Sequence, residues 1–372
     1  MRILVAPDKF KSSLTASEAA EVIAEGMQSV IPHADIDIQP LADGGEGTMR
    51  VICDALGGVV IPCPAHDPLG REILAGFGWV KKSHLAVIEA AEASGYWRVA
   101  SQDRAPWVSS TIGTGELILA AIQHGASKIL VGLGGSATND AGVGMAAALG
   151  FQFFDDKGNL IRPVPSEFLA IRNVIRPPCQ FSVAFEALSD VTNPLTGPRG
   201  ATRIFGPQKG VIPEDVDRLD AAVAHLALIV ERDLGVTAVD ASGSGAAGGL
   251  GFGLVAFCGA TMASGFDVIA SLTDLEARVT ACDLVVTAEG SLDHQTLDGK
   301  GPGALAVMGR RFGKRVVAIG GRIADEEALL GTFDRVMPLS PVPLPLDESI
   351  SRAAELLGIA ARRLAMLETL NQ

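Results

Sequence analysis

Apolar and polar positions alternate along the start of the chain in the manner of strands and helices that follow one another. The apolar run at 2–7 predicts a buried parallel strand, and the amphipathic stretch at 19–30 predicts a helix that a capping box at 15–18 would begin. The same pattern predicts a second strand at 35–41 and a second helix at 48–56. This β-α-β-α order is typical of a doubly wound α/β domain built on a parallel sheet.

The strand-and-helix pattern returns near the end of the chain. Strands are predicted at 284–287 and 316–319, with a helix at 303–312 between them. The long middle segment carries further predicted elements, with strands at 73–79, 85–89, 129–133 and 181–185 and helices at 110–124 and 141–149. At 372 residues the chain exceeds the usual size of a single core. We therefore predict one discontinuous α/β domain from residues 1–66 and 279–372, with a second α/β domain inserted at 67–278.

A glycine-rich run at 134–140 follows the strand predicted at 129–133. Glycines at such a turn let backbone N–H groups approach an anion, and the N-terminus of the following helix adds partial positive charge. The polar side chains add donors and one carboxylate, a candidate metal ligand or base. The run is thus a candidate site for a phosphate or carboxylate, formed by Gly134, Gly135, Ser136, Thr138, Asn139 and Asp140. The alternative is a tight turn in which Asn139 or Asp140 caps the helix.

Acidic residues come directly after three of the predicted strands. Asp8 follows the first strand, Asp43 and Glu46 follow the second, and Glu289 and Asp293 follow a third. In an open parallel sheet the carboxyl ends of the strands share one edge, where ligands bind. Like charges that converge there raise each other's pKa or require a cation, and Mg²⁺ is the natural one. Any single one of these carboxylates could equally cap a helix or face solvent.

Lysines and a further aspartate add to the candidate site. Lys9 and Lys11 lie in the turn after the first strand, and Lys209 lies in a short segment between two glycines. A lysine close to such a turn suits a phosphate as a point charge. Asp190 follows the strand at 181–185 and precedes Asn193. It suits a general base on a substrate hydroxyl or a Mg²⁺ ligand, and the residues alone leave both roles open.

Composition excludes several classes of protein. The net charge of −13 argues against nucleic acid or an anionic membrane as a partner. The uncharged segment 241–266 contains eight glycines, which favours a packed loop and a buried helix over a membrane span. Five cysteines without a CxxC spacing indicate reduced thiols in a cytoplasmic protein. The chain has neither GxxxxGKS nor GxxxxGKT, which excludes a Walker-type NTPase.

In their order and spacing, these motifs resemble the type I glycerate kinases, which phosphorylate glycerate from ATP. The resemblance covers essentially the whole chain and rests on the segments 7–14, 42–48, 134–140, 190–197, 205–210, 245–249 and 289–290. It implies a flavodoxin-like domain built from both chain ends and an inserted α/β domain. It also implies ATP- and Mg²⁺-dependent phosphorylation of D-glycerate to 2-phosphoglycerate, with in-line transfer in a cleft between the domains.

The resemblance and the chemistry of the residues together give each candidate a role. Catalysis is assigned to Lys9, Asp43, Asp190 and Glu289, and the three acids among them are also the candidate Mg²⁺ ligands. Binding of the hydroxy acid or of ATP is assigned to the run from Gly134 to Asp140 and to Asp8, Lys11, Glu46, Asn193, Lys209, Asp293 and Arg322. Which acid is the base and which binds the metal stays open.

Two positions depart from the usual pattern of this family. An arginine is common where this chain has Ser291, and Arg322 stands where a serine is common. A guanidinium is thus lost at one strand end and gained at the next, which leaves another small hydroxy acid or sugar acid open as the substrate.

Two other classes of protein are weaker alternatives. A non-catalytic metabolite-binding regulator on the same scaffold would not need the intact set of carboxylates and lysines. A Rossmann dehydrogenase would need a glycine-rich fingerprint after the first strand, where Asp8 and Lys9 stand instead. The residues leave the oligomeric state open, a homodimer included.

Overall fold

The structure is a computed structural model, and it describes residues 1–178, 181–297 and 301–370. The chain divides into two compact units. Met1–Asp43 and Phe266–Gln372 form the first unit, and Gly44–Gly265 form the second.

Strands and helices are numbered here along the chain. The strands are β1 (Arg2–Val5), β2 (Asp35–Ile38), β3 (Val59–His66), β4 (Glu72–Val80), β5 (Leu85–Glu89), β6 (Lys128–Gly132), β7 (Gln152–Phe154), β8 (Asn173–Ile175), β9 (Ala184–Leu188), β10 (Thr261–Ala263), β11 (Leu284–Leu292), β12 (Arg315–Ile323) and β13 (Arg335–Pro338). The helices are α1 (Ala16–Gln28), α2 (Thr48–Leu56), α3 (Ala90–Ser94), α4 (Ile112–Gln123), α5 (Val143–Ala148), α6 (Ala201–Phe205), α7 (Val216–Leu234), α8 (Ala246–Cys258), α9 (Gly265–Leu272), α10 (Leu275–Ala281), α11 (His294–Leu297), α12 (Pro302–Arg311), α13 (Glu326–Leu330), α14 (Leu346–Ser351) and α15 (Ala353–Leu370). Short 3₁₀ helices lie at Lys81–Ser83, Tyr96–Arg98, Ser101–Asp103, Pro165–Ala170, Pro207–Lys209 and Pro213–Asp215.

The sheet of the first unit is parallel throughout, in the order β13-β12-β11-β1-β2. Numbered along the chain within this unit, the order is 2-1-3-4-5, which is the flavodoxin-like arrangement. The strand order reverses between β1 and β11, and ligands of such sheets bind beside the carboxyl ends at that reversal. The structure confirms the predicted doubly wound fold and singles out the carboxyl ends of β1 and β11.

Hydrophobic residues cover both faces of this sheet. Ile3 and Val5 of β1 face a core that α1 and α15 close, whereas Leu4 faces a second core closed by α10 and α12. Successive side chains of a strand point to opposite faces, so a strand buried on both sides reads as a continuous apolar run. Helix α1 begins with the predicted capping box between Thr15 and Glu18.

The second unit is built on a mixed sheet in the order β10-β9-β6-β5-β4-β3. Strands β3, β4 and β5 pair antiparallel, whereas β5, β6, β9 and β10 run parallel. The register places Glu89, Gly132 and Leu188 side by side at the carboxyl ends of β5, β6 and β9. Strands β7 and β8 form a separate antiparallel pair. The glycine-rich run and Asp190 directly follow this carboxyl edge.

The second unit begins and ends earlier in the chain than the predicted inserted domain, whose boundaries lie at 66/67 and 278/279. Strand β3 pairs with β4 along its whole length, which places residues 59–66 in the sheet of the second unit. Leu275 and Val279 of α10 pack with Leu4 and Val285, which places that helix in the first unit. The sequence pattern missed β3 because its two prolines argue against a strand.

The uncharged segment contains α8, whose residues are nearly all buried, in line with the predicted buried helix. Among the described residues, no helix combines the length and the apolar character needed to span a bilayer. Cys53, Cys63, Cys258 and Cys282 are free thiols, and Cys179 lies outside the described residues.

Candidate active site

Four acidic residues of the first unit lie at the carboxyl ends of β1, β2 and β11. Asp8 lies just beyond β1, Asp43 lies beyond β2, and Glu289 and Asp293 lie at the end of β11. Asp8 is fixed against β11 because its N–H donates to Ala288 O at 2.8 Å. The acids are close enough for their charges to act on one another, since those of Asp8, Asp43 and Asp293 all raise the pKa of Glu289.

Lys9 lies between two of these carboxylates. Its Nζ is 3.7 Å from Asp8 Oδ1 and 3.5 Å from Asp43 Oδ1. Its backbone N–H also donates to Asp8 Oδ1 at 2.6 Å. The exposed fractions of the Lys9, Asp8 and Asp43 side chains are only 18%, 8% and 27%. Such ion pairs are less screened than surface pairs, so Lys9 supplies an effective positive charge within the cluster.

A chain of hydrogen bonds holds the acids of β11. The Thr296 hydroxyl donates to Glu289 Oε2 at 3.1 Å, and the Asp293 N–H donates to Thr296 Oγ1 at 3.2 Å. Ser291 Oγ donates to Asp293 Oδ2 at 3.1 Å. Thr296 is buried, and the sequence analysis missed it because a threonine in a short polar segment has no periodic pattern around it. Through Thr296, the positions of Glu289 and Asp293 depend on each other.

Burial raises the pKa values of two acids in this cluster. It raises the pKa of the Glu289 carboxyl to about 7, and the hydrogen bond from Thr296 only partly opposes it. Burial also raises the pKa of Asp8, with the charge of Lys9 opposing and that of Asp43 adding to the rise. A carboxyl that titrates near working pH can take up and release a proton efficiently. Glu289 is therefore the strongest candidate for proton transfer in the first unit.

The acids of the first unit do not form a closed metal cage. Within the part of the chain that the structure describes, no group of three or more His, Cys, Asp or Glu side chains is placed to hold a metal ion. Mg²⁺ commonly takes only one or two protein carboxylates and completes its octahedron with water and substrate phosphates. The accumulated negative charge around Asp43 and Glu289 fits an ion held in that shared way.

Two exposed cations lie near this cluster. The charge of Lys11 lowers the pKa of Asp8, which places Lys11 close to it. Arg322 on β12 is the register partner of Ser291 on β11. The Arg322 side chain is exposed and bonds to none of the residues described. The position that lacks the family's arginine and the position that gained one are therefore neighbours on adjacent strands.

The carboxyl edge of the second sheet carries a buried acid that the sequence analysis missed. Glu89 ends β5, and its Oε1 accepts the Met49 N–H at 2.7 Å. Gly47 precedes α2 and has no side chain to cap it, so Glu89 caps this helix from a neighbouring strand. Burial nevertheless raises the pKa of Glu89 to about 7. Glu46, predicted to bind a ligand, is exposed on the loop before α2.

Most of the glycine-rich run lies in the interior. Gly135 is exposed and Gly134 is half-buried, whereas residues 136–140 are buried. The Asp140 carboxylate accepts the N–H and hydroxyl of Thr111 at 2.7 and 2.8 Å, and the N–H groups of Gly142 and Gly144 at 3.1 Å each. The anion at the start of α5 is thus Asp140 itself. These contacts fit the capping alternative, and the role of Asp140 in ligand or metal binding stays a prediction.

The start of the run, on either side of the exposed Gly135, keeps two backbone donors. None of the described residues accepts a hydrogen bond from the N–H groups of Gly135 and Ser136. Gly135 has a φ of +77°, and successive N–H groups beside such a residue form a concave nest for an anion. Gly134 packs so tightly on Gly45 that a Cβ would lie 2.5 Å from its Cα. The candidate anion site is therefore the short tip Gly134–Ser136.

Lys209 lies beneath this tip and not beside it. The residue ends a 3₁₀ helix and is 2% exposed. Its Nζ donates to Ser136 Oγ at 2.9 Å and to Thr138 O at 2.7 Å. Burial lowers the pKa of the Lys209 amine to about 7, although the charge of Asp140 acts in the opposite direction. Asn139 is buried as well, and its Nδ2 donates to Thr202 Oγ1 at 3.0 Å.

Asp190 and Asn193 follow β9 on the same edge of the second sheet. Asp190 is half-buried, and its Oδ1 accepts the Gly265 N–H at 2.9 Å. Asn193 is bound within its own loop, because its Nδ2 donates to Arg199 O at 2.8 Å and its carbonyl accepts the Gly245 N–H at 2.9 Å. Asp190 thus lies at a strand end as predicted, whereas the hydrogen bonds of Asn193 hold its own loop and join it to Gly245.

A doubly wound sheet with acids and a lysine at its switch point, together with a second unit that has a candidate anion site, is typical of an α/β phosphotransferase. The profile of the glycerate kinase family matches residues 3–369, and the chain belongs to that family. This result confirms the predicted resemblance and the prediction that the protein is a kinase.

Known relatives match over almost the full length. The glycerate kinase of Bacillus subtilis (strain 168) is 41% identical over 98% of this chain and 97% of the relative. The glycerate 2-kinase of Escherichia coli (strain K12) is 38% identical over 98% of this chain and 97% of the relative. A crystal structure from Salmonella typhimurium LT2, provisionally described as glycerate kinase 2, matches with a TM-score of 0.87 and 38% identity over 100% of this chain and 99% of that one.

Proposed function

We propose that this protein transfers the γ-phosphoryl group of ATP to D-glycerate and releases 2-phosphoglycerate and ADP. The observation that carries the proposal is the cluster of Asp8, Asp43 and Glu289 at the carboxyl ends of β1, β2 and β11, with Lys9 between the two aspartates. Phosphoryl transfer depends on positioning and charge neutralisation more than on covalent chemistry, and this cluster offers both. The name of the E. coli relative supports glycerate as the acceptor and the 2-position as the site of transfer.

Glu289 is the proposed general base. Its carboxyl is buried, takes a hydrogen bond from Thr296 and has a pKa of about 7. At that pKa a useful fraction is ionised in neutral solution, and the carboxylate is basic enough to take the proton of an attacking hydroxyl. Lys9 supplies the fixed positive charge for phosphoryl oxygens, on which negative charge accumulates during transfer.

Mg²⁺ would be held by Asp43 together with the substrate phosphates. When bound, the ion neutralises charge on the phosphoryl oxygens and favours attack on phosphorus. Lys9 Nζ lies 3.5 Å from Asp43 Oδ1, so the ion pair holds this candidate oxygen ligand within the cluster. Asp190 is the corresponding candidate ligand or base in the second unit.

The tip of the glycine-rich run is the proposed anion site of the second unit. The N–H groups of Gly135 and Ser136 would donate to an anionic oxygen, either of the glycerate carboxylate or of an ATP phosphate. Backbone N–H groups suit this task because they are fixed in direction and carry no charge of their own to be neutralised elsewhere.

The proposal is tested by measuring ADP release with ATP, Mg²⁺ and a panel of acceptors. The panel contains D-glycerate, L-glycerate, glycolate, lactate and gluconate. We expect kcat/KM for D-glycerate to exceed that of the other acids by at least about tenfold, the scale of one well-placed polar contact. Phosphorus NMR of the product then separates 2-phosphoglycerate from 3-phosphoglycerate. Preference for another acid would move the assignment to that acid, and no ADP release with any acceptor would contradict the proposal.

A further inference from the structure

The buried amine of Lys209 has hydrogen-bond acceptors around it but no ion-pair partner among the described residues. Its two acceptors, Ser136 Oγ and Thr138 O, match the two N–H groups of a neutral amine. None of the described carboxylates lies within ion-pair distance of this amine. The Asp140 carboxylate instead accepts hydrogen bonds from Thr111 and from the start of α5. A lone buried ammonium is strongly disfavoured, and burial lowers the pKa of this amine to about 7.

Access to the amine is closed on its remaining side. Gly248 lies in the left-handed turn at the start of α8, and a Cβ there would lie 2.9 Å from Lys209 Nζ and 2.0 Å from Thr138 O. With Lys209 only 2% exposed, a substrate oxygen has no room to reach Nζ while the turn of α8 is in place. The amine therefore acts on the protein itself.

The atoms that Lys209 holds belong to the segment that presents the two free N–H groups. One side of this segment is bonded to residues 94–96 of the same unit. The Tyr96 N–H donates to Gly135 O at 3.0 Å, and the Ala137 N–H donates to Ser94 O at 2.7 Å. Lys209 provides a tie through the side chain of Ser136 and the carbonyl of Thr138. Without the side-chain tie, the tip could turn about these backbone bonds and lose the direction of its donors.

We propose that Lys209 is a positioning residue, which ties Ser136 and Thr138 from inside the second unit so that the Gly135 and Ser136 N–H groups stay directed at a bound anionic oxygen. Lys209 itself does not touch the substrate. The inference rests on the proposed function for the identity of the anion, which is the glycerate carboxylate or an ATP phosphate. It replaces the expectation that Lys209 meets a phosphate as a point charge.

A double-mutant cycle tests the tie in the absence of substrate. The variants are Lys209→Met, which keeps the length of the side chain but removes its donors, Ser136→Ala, and the two changes combined. We expect each single change to lower the urea midpoint of unfolding, and the double change to lower it little further than Lys209→Met alone. Lys82→Met, at an exposed lysine of the same unit, is the matched control and should leave the midpoint unchanged. Additive losses would contradict the tie.

Steady-state kinetics of the same variants test the positioning role. We expect Lys209→Met to raise KM at least about tenfold for the substrate whose anion sits at the tip, with kcat within about threefold of the wild type. A rise confined to D-glycerate assigns the tip to the carboxylate, and a rise confined to ATP assigns it to a phosphate. The effect should be largely lost in the Ser136→Ala background. An undiminished effect there, or an unchanged KM, would overturn the proposal.

Chemical modification of the wild type gives a readout that requires neither folding of a variant nor kinase activity. Reductive methylation followed by mass spectrometry should leave Lys209 unmodified in the free protein and in the presence of D-glycerate and ADP, whereas Lys82 is methylated in both. Methylation of Lys209 in the free protein with protection by either ligand would show that it contacts the ligand, which contradicts the proposal. If the wild type does not phosphorylate D-glycerate, the proposed function fails, while modification and the unfolding cycle still decide the role of Lys209.

Discussion

At the scale of single residues, Glu89, Glu289 and Lys209 share one property, a pKa of about 7 that follows from burial. Removing water disfavours the charged form of each group, so the acids rise and the amine falls. Their hydrogen bonds then separate their roles. Glu89 accepts a backbone N–H and caps α2, Lys209 donates to its own unit, and Glu289 accepts a hydroxyl within a cluster of acids. Similar pKa values thus accompany the helix capping observed for Glu89 and the loop positioning and proton transfer proposed for Lys209 and Glu289.

The pKa of Glu89 predicts a pH dependence of stability. Burial raises the pKa of the folded carboxyl from its ordinary 4.5 to about 7, so its stabilising contribution is complete below about pH 4.5 and is lost as pH rises through about 7. Glu89→Gln keeps an acceptor for Met49 but cannot ionise. We expect its free energy of unfolding, relative to wild type, to rise by about 1–3 kcal/mol between pH 5 and pH 8. Urea titrations at both values measure it, with the exposed Glu72→Gln as the control. A difference that does not change with pH would contradict this assignment.

The pair Ser291 and Arg322 predicts a change in substrate affinity. Because the two positions are register partners on adjacent strands, a guanidinium at either one can serve the same edge of the sheet. Arginine binds a carboxylate or phosphate through two parallel hydrogen bonds, which serine cannot do. We expect Arg322→Ser to raise KM for the hydroxy acid or for ATP about tenfold, or about 1.4 kcal/mol. Adding Ser291→Arg should recover part of the loss, and unchanged kinetics in the single variant would retire the idea.

At the scale of elements, two helix starts of the second unit are packed against each other. Asp140 caps α5, and the first residues of α8 adopt left-handed conformations at Ala247, Gly248 and Gly249. The Ala141 N–H donates to Gly248 O at 3.1 Å, which joins the two starts directly. This close approach is possible only for a residue without a side chain, so glycine in α8 serves packing and not flexibility.

Alanine substitutions at the two ends of α8 separate conformational strain from steric overlap. Gly248 and Gly259 have nearly the same positive φ, +69° and +66°. A Cβ at Gly248 would lie 2.0 Å from Thr138 O, whereas one at Gly259 would meet nothing within 4 Å. We expect Gly259→Ala to cost about 1 kcal/mol of unfolding free energy and Gly248→Ala to cost at least about 3 kcal/mol. Equal losses in urea unfolding would show that packing at Gly248 is not the reason for its glycine.

The elements also show what the sequence could and could not predict. Local rules located α2 and β5 at the bounds observed, and the capping box of α1, because these depend on neighbouring residues. They placed β9 three residues early and missed β3, whose strand character comes only from pairing with β4. They did not predict Glu89 as a cap, since its partner Met49 lies forty residues away. Contacts of that kind depend on tertiary packing and leave no periodic pattern.

At the scale of the whole molecule, the first unit depends on both ends of the chain. Strand β1 lies between β2, which follows it closely, and β11, which is reached only after the entire second unit. The switch point at which Asp8 meets β11 therefore forms only when these distant segments pair. The second unit carries its own sheet edge with Asp190 and the anion-binding tip. Each unit thus contributes an acid for which a catalytic role is proposed.

Asp190→Asn tests the acid of the second unit. The change is isosteric, and the asparagine oxygen can still accept the Gly265 N–H, so the urea midpoint should stay near that of the wild type. We expect kcat for D-glycerate to fall by at least ~10²-fold, the usual effect of losing a base or a metal contact. Turnover close to that of the wild type would remove Asp190 from the mechanism.

The most direct test of the proposed phosphoryl transfer is the kcat of Glu289→Gln with ATP, Mg²⁺ and D-glycerate, compared with that of the wild type. The amide keeps the size of the side chain and an acceptor for the Thr296 hydroxyl, but it cannot take up a proton. We expect a fall of at least ~10²-fold in kcat with a urea midpoint no lower than that of the wild type, while the exposed Glu326→Gln behaves as the wild type. Near wild-type turnover in the folded Glu289→Gln protein would contradict the proposal that this cluster carries the phosphoryl transfer.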